Sequence, residues 1–167
     1  MSVAHWQNCN EKCPIPLTGE AIPINIFPEW WVTTHHSPRP GEVLISITEP
    51  GQPPITPHGS YDAIYRLAAW DIPYTIESPR HGTLHPLSES EGRDLILFLL
   101  RQRHRMTALT LHCHAGISRS PAVAIAISEW INTAPITTEL IERFPAFNRT
   151  IYRTLCHVAI EQGLLRT

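Results

Sequence analysis

Residues 111–121 read Leu-His-Cys-His-Ala-Gly-Ile-Ser-Arg-Ser-Pro and hold the chain's most concentrated chemistry. Cys113 stands between His112 and His114, and Arg119 and Ser120 follow within one short loop. On its left, 109–112 alternate apolar and polar as a short strand does. On its right, 122–127 are apolar throughout, and the run to Ile131 has helical length. Cys113 is therefore expected where a strand hands over to a helix. A helix N-terminus offers unpaired N–H groups and the positive end of a dipole, which suit an anion and above all a phosphate. Gly116 lets the backbone turn inward, and Arg119 supplies a planar fork for two phosphate oxygens. The same field favours the thiolate of a cysteine aimed into the loop. A thiolate beneath a bound phosphate is a nucleophile placed for in-line attack.

Taken singly, these residues have plainer explanations. A cysteine ending a buried strand is usually inert core; Arg119 reads as a surface charge, Gly116 as a turn, His112 as a satisfied core histidine and Ser120 as a helix cap. Burial accounts for none of the Gly-x-x-Arg-Ser geometry, so the combination reads as a site. The His114 side chain is expected to face solvent.

His112-Cys113, five residues, then Arg119-Ser120 resembles the H-C-x5-R-S/T loop of the protein tyrosine phosphatase superfamily. The longer stretch, H-C-x-A-G-I-S-R-S, is similar to the dual-specificity and small bacterial tyrosine-phosphatase-like branches. The resemblance extends from about Ile24 to the C-terminus. It implies that Cys113 is the nucleophile of a phosphocysteine mechanism and Arg119 the phosphate clamp. Ser120 would stabilise the thiolate, and His112 would orient the loop by hydrogen bonding to backbone. The backbone amides of His114, Ala115, Gly116, Ile117, Ser118 and Arg119 would bind phosphoryl oxygens, with no metal or other cofactor. The implied substrate is a phosphorylated protein, phosphotyrosine first and phosphoserine or phosphothreonine next, or else a small phosphoester. The loop itself has no lysine or second arginine, which favours a phosphoprotein over a polyanionic phosphoinositide or RNA end. A pseudophosphatase that binds phosphate without turnover is the competing reading. An arsenate reductase or sulfurtransferase is a third, weakened by Arg119-Ser120 and by the lack of an obvious resolving cysteine.

Expelling a poor leaving group needs a proton donor, which the family takes from an aspartate on a separate loop. Asp71 follows a predicted strand in Trp-Asp-Ile-Pro, 42 residues before Cys113, and resembles that acid in context. Glu89, Glu91 and Asp94 are explained by the first turns of a helix. Glu77 is the next choice and His81 a distant one. Asn148, following Phe147, resembles the Pro-Asn pair that often opens a late helix in this family, with phenylalanine replacing the proline.

The elements that must position this loop follow from periodicity and punctuation. Strands are expected over 24–27, 43–47, 64–70 and 109–112. Ser88 with Glu91 forms a capping box at the start of a helix whose buried face holds Leu95, Ile96, Leu99 and Leu100. Further helices are expected over 118–132, 137–143 and 148–162. Twelve of the sixteen prolines lie at or before Pro79, so the first half should be loops and short strands. The fold class is α/β: a mostly parallel central sheet of four to five strands flanked by helices, with the phosphate loop between a central strand and a helix. An irregular arm over 1–22 precedes one catalytic domain over 23–167.

The 167 residues, 43% hydrophobic and 17% charged, describe a folded chain with a real core. A net charge of −2 without a basic run argues against nucleic acid or an anionic membrane as partner. No run is long enough to span a bilayer, and no signal peptide is evident, so a cytoplasmic location is expected. The four cysteines are then expected to be reduced. Cys9 and Cys13, with His5, have a spacing reminiscent of zinc sites but no downstream ligands to complete one. Cys156 falls on the apolar stripe of the last helix.

Overall fold

The computed structural model describes residues 20–165. Most of the expected arm, with His5, Cys9 and Cys13, lies outside them. In order come β1 (Ile22–Pro28), α1 (Glu29–Thr34), β2 (Glu42–Thr48), β3 (Ala63–Ala68), β4 (Ile76–Ser78), β5 (Gly82–Leu84) and α2 (Glu89–Gln102). Then follow β6 (Ala108–Cys113), α3 (Arg119–Ser128), β7 (Thr133–Ala134), α4 (Thr137–Arg143) and α5 (Arg149–Glu161). Five strands form one parallel sheet in the order β3-β2-β6-β1-β7, so β6 is central. The fold is thus the expected α/β architecture.

The two faces of this sheet differ, and the pleat explains how. Alternate side chains point to opposite faces. Val43, Ile45 and Ile47 on β2 and Leu109, Leu111 and Cys113 on β6 join the main apolar core. Residues from α2, α3 and α5 complete that core. The intervening positions carry Glu42, Ser46, Thr110 and His112, all buried. Buried polar groups are costly unless hydrogen-bonded. Here the Thr110 hydroxyl donates to Glu42, Asn25 donates to Thr110 at 3.3 Å, and His36 Nε2 meets Glu42 Oε1 at 2.6 Å. On the core side, α3 is buried at every position from Arg119 to Ile127, which is why its sequence lacks an amphipathic stripe.

Several boundaries differ from those expected. The sheet begins at Ile22, inside the expected arm, because Ile22 and Pro23 pair with Thr133 and Ala134. The helix expected to reach 132 stops at Ser128. Its end tightens through Glu129 N–H to Ala126 and Trp130 N–H to Ile127, and the chain then enters β7. The strand expected over 64–70 ends at Ala68, leaving Ala69 and Trp70 to lead into the Asp71 loop. Neither α1 nor the β4–β5 hairpin was expected. The capping box at Ser88 forms as read: Ser88 Oγ accepts from Glu91 N–H, and Glu91 Oε2 accepts from Ser88 N–H at 2.9 Å. Helix α4 spans the expected residues, and Asn148 caps α5. Cys156 is half-buried and packs at the margin of the core. No helix among the described residues is long and apolar enough to cross a membrane.

Ile125 sits in the middle of α3 with no exposed surface. Ile125→Ala should cost about 2–5 kcal/mol, the usual range for emptying such a site, measured by urea unfolding.

Candidate active site

The loop between β6 and α3 is shaped from outside as much as by its own residues. Gly116 has φ +72°, and a Cβ there would lie 2.8 Å from the Phe27 carbonyl carbon and the Pro28 nitrogen. Both the left-handed backbone and the close approach to β1 therefore require glycine. The Glu29 N–H donates to the His114 carbonyl at 3.2 Å, and the Asn148 N–H donates to the Ser118 carbonyl at 3.1 Å. Ser118 precedes α3 without its side chain capping the helix. The amides of His114 to Arg119 find no hydrogen-bond acceptor among the described residues. Uncommitted N–H groups before a helix N-terminus are the kind of donors that can receive an anion.

Cys113 ends β6 with 2% of its surface exposed. Ser120 Oγ donates to its Sγ at 3.2 Å, the contact expected for a hydroxyl that supports a thiolate. Arg119, the first residue of α3, is 5% exposed. Its Nη1 donates to the Ala69 carbonyl at 3.1 Å, and its Nε is buried without a hydrogen-bond partner. That leaves part of the guanidinium fork uncommitted beside the loop amides.

His112 Nε2 meets Ser46 Oγ at 2.8 Å, a side-chain partner on β2 that the sequence reading did not name. The strand pleat sends His112 to the polar face of the sheet, where Ser46 lies opposite it in register. Its Nδ1 has no partner with hydrogen-bond geometry. Burial pushes the imidazole down to about 4, the Cys113 backbone opposes this, and the Arg119 and Arg66 charges add to it. His112 is therefore neutral at neutral pH. His114, as expected, is exposed.

Asp71 comes to the loop from the far end of β3. Its Oδ1 accepts from Ser118 Oγ at 2.6 Å and from Asn148 Nδ2 at 3.2 Å, and its Oδ2 lies 4.0 Å from Arg119 Nε. The other acids considered lie elsewhere: Glu77 accepts from Thr83 within the β4–β5 hairpin at 2.8 Å, and Glu91 serves the α2 cap. His81 sits at the hairpin turn, its ring 5.9 Å from that of Trp70.

Asn148 is the residue whose role the sequence reading missed. Its Oδ1 caps α5 by accepting from Thr150 and Ile151, while its Nδ2 donates to Asp71 and to the Ile72 carbonyl. Its N–H holds Ser118, so one side chain and its backbone join three segments. The capping signature marked the helix start, but no local signal marks the tie to Asp71.

One group among the described residues has metal-like proximity: Glu89, His157 and Glu161, all exposed, where α2 meets α5. His157 lies 3.6 Å from Glu89 and 3.5 Å from Glu161, which also pairs with Arg93 at 3.2 Å. This is a surface charge network. Compared with protein-family models, with curated proteins and with solved structures, the chain has no significant match.

Because His112 falls from 6.5 unfolded to about 4 folded, the unfolded chain binds the extra proton between those values. This contribution to stability is present above about pH 6.5 and is lost as pH falls toward 4. Urea unfolding across that window should show a smaller pH slope for His112→Gln than for wild type. Parallel slopes would place the titration on another residue.

Proposed function

We propose that the protein is a cysteine-dependent phosphomonoesterase of the tyrosine phosphatase type, acting on phosphorylated protein. The observation that carries this reading is the joint geometry at one loop. A cysteine with a hydroxyl donor on its sulfur, a half-committed buried arginine and a run of free amides stand together before a helix N-terminus. Burial alone accounts for none of these pairings. The resemblance of the loop to H-C-x5-R-S/T points the same way.

In the first step the Cys113 thiolate attacks phosphorus, the S–P bond forms and the P–O bond to the leaving group breaks. The amides of the loop and Arg119 hold the three phosphoryl oxygens where charge accumulates. Asp71 gives its proton to the departing oxygen. Oδ2 suits that task, since Oδ1 already accepts from Ser118 and Asn148. In the second step water attacks phosphorus, Asp71 takes its proton, the S–P bond breaks and inorganic phosphate leaves. The Ser120 hydroxyl stabilises the thiolate as it departs. Every step uses groups of the chain itself, so turnover should persist in chelator.

Cys113→Ser should abolish hydrolysis of phenyl phosphate yet keep phosphate or vanadate binding, because the loop amides and Arg119 stay. Turnover near the wild-type rate in that variant, or phosphate binding by wild type without any turnover, would sink the mechanism. Asp71→Asn should lower kcat on phenyl phosphate by about 10²–10⁴-fold, with a smaller loss on substrates whose leaving group is a stable anion. The basic limb of the pH–rate profile should flatten with it. Equal losses on good and poor leaving groups would move the acid elsewhere.

A further inference from the structure

Beside the phosphate loop lies a cleft of about 570 Å³ whose wall includes Glu29, Glu49, Pro53, Pro54, His114 and Arg119. That is within the range of ligand sites and far more than a phosphoryl group fills. Two features of its lining point in opposite electrostatic directions. Arg119 is nearly buried; its Nε has no hydrogen-bond partner and only the Asp71 carboxylate 4.0 Å away, so the guanidinium keeps donor capacity for an anion at that end. Glu29 and Glu49, half-buried and exposed respectively, have side chains with no ion pair or hydrogen bond among the described residues. Free carboxylates on the wall of a phosphate-binding cleft repel a second anion and attract a cation.

We propose that this cleft selects peptide substrates in which a lysine or arginine flanks the phosphorylated residue. The proposal rests on the phosphatase reading for the phosphate end and adds the flanking subsite. The phosphate would sit at Arg119 and the loop amides, and the flanking cation would face Glu29 and Glu49. Pro53 and Pro54 offer a stiff apolar wall along which the aliphatic stem of a lysine or arginine can lie. A cleft of this volume has room for the residues that flank a phosphorylated side chain as well as for the phosphate. Acidic flanks, and polyanions such as phosphoinositides, would meet like charge and be disfavoured.

The test compares phosphotyrosine peptides that differ only in their flanking residues, Lys, Ala or Glu. At low ionic strength kcat/KM for the Lys-flanked peptide should exceed that for the Glu-flanked one by about tenfold, as two accessible ion pairs allow. The ratio should shrink in about 0.5 M salt, where the Debye length falls to a few ångströms. Glu49→Gln should narrow it several-fold while phenyl phosphate turnover stays within about twofold, since that carboxylate has no part in the chemical steps. Binding of the same peptides to Cys113→Ser gives a readout independent of turnover. If wild type fails to hydrolyse phenyl phosphate, the phosphatase reading falls, and the binding ratio still decides the subsite. Equal affinity for Lys- and Glu-flanked peptides, or preference for Glu, overturns the proposal. So does phosphoethanolamine competing as well as the Lys-flanked peptide, which would make the occupant a small zwitterion.

Discussion

The structure turns on keeping a row of backbone donors uncommitted at the centre of a folded chain. Most backbone N–H groups in a protein are paired, and leaving one buried and unmatched costs about 1–3 kcal/mol. Here His114, Ala115 and Ile117 are exposed residues, so the loop lies at the surface although Cys113 and Arg119 beside it are buried. The loop holds its shape through neighbours rather than through its own amides. β1 presses against Gly116, Glu29 holds one carbonyl and Asn148 holds another. Those carbonyl contacts leave the N–H side of the loop free. The sheet, α1 and the start of α5 thus all bear on five residues.

The two-sided sheet explains why the residues around Cys113 differ so sharply in character. Consecutive side chains on β6 go to opposite faces. Cys113 turns toward the apolar core and the start of α3, where Ser120 reaches its sulfur. His112 turns the other way, into the polar layer that contains Ser46, Thr110 and Glu42. There the surroundings keep it neutral, so it does not add a second positive charge beneath the loop. Arg119 remains the cation of the site and is itself restrained by the Ala69 carbonyl and the Asp71 carboxylate.

Asp71, Ser118 and Asn148 join the β6–α3 loop to the end of β3 and the start of α5. The Ser118 hydroxyl donates to Asp71 and does not cap α3. Asn148 caps α5 with one end of its amide and grips the Asp71 loop with the other. An acid placed this way is fixed relative to Arg119 by side chains from two other segments, and still keeps 39% of its side chain exposed to solvent.

The nearby sequence was enough to read whatever depends on neighbours along the chain. Strand alternation at 109–112, the Ser88–Glu91 capping box, helix α4 and the Asn148 cap are all set by spacings of two to four residues. The Cys113 to Ser120 loop was legible because its residue types lie together in one short stretch, although β1, Glu29 and Asn148 hold its shape. Tertiary structure alone decided the rest. α1 is too short to show a period, and β7 is two residues long and recognisable only by its pairing with Ile22 and Pro23. The β4–β5 hairpin has strands of three residues each, too short for alternation to register. His112 meets Ser46 across 66 residues, and Asp71 meets Ser118 across 47 and Asn148 across 77. Contacts at such separations are set by strand order and helix placement, which the packing of the whole core determines and which leave no periodic trace in the residues that make them.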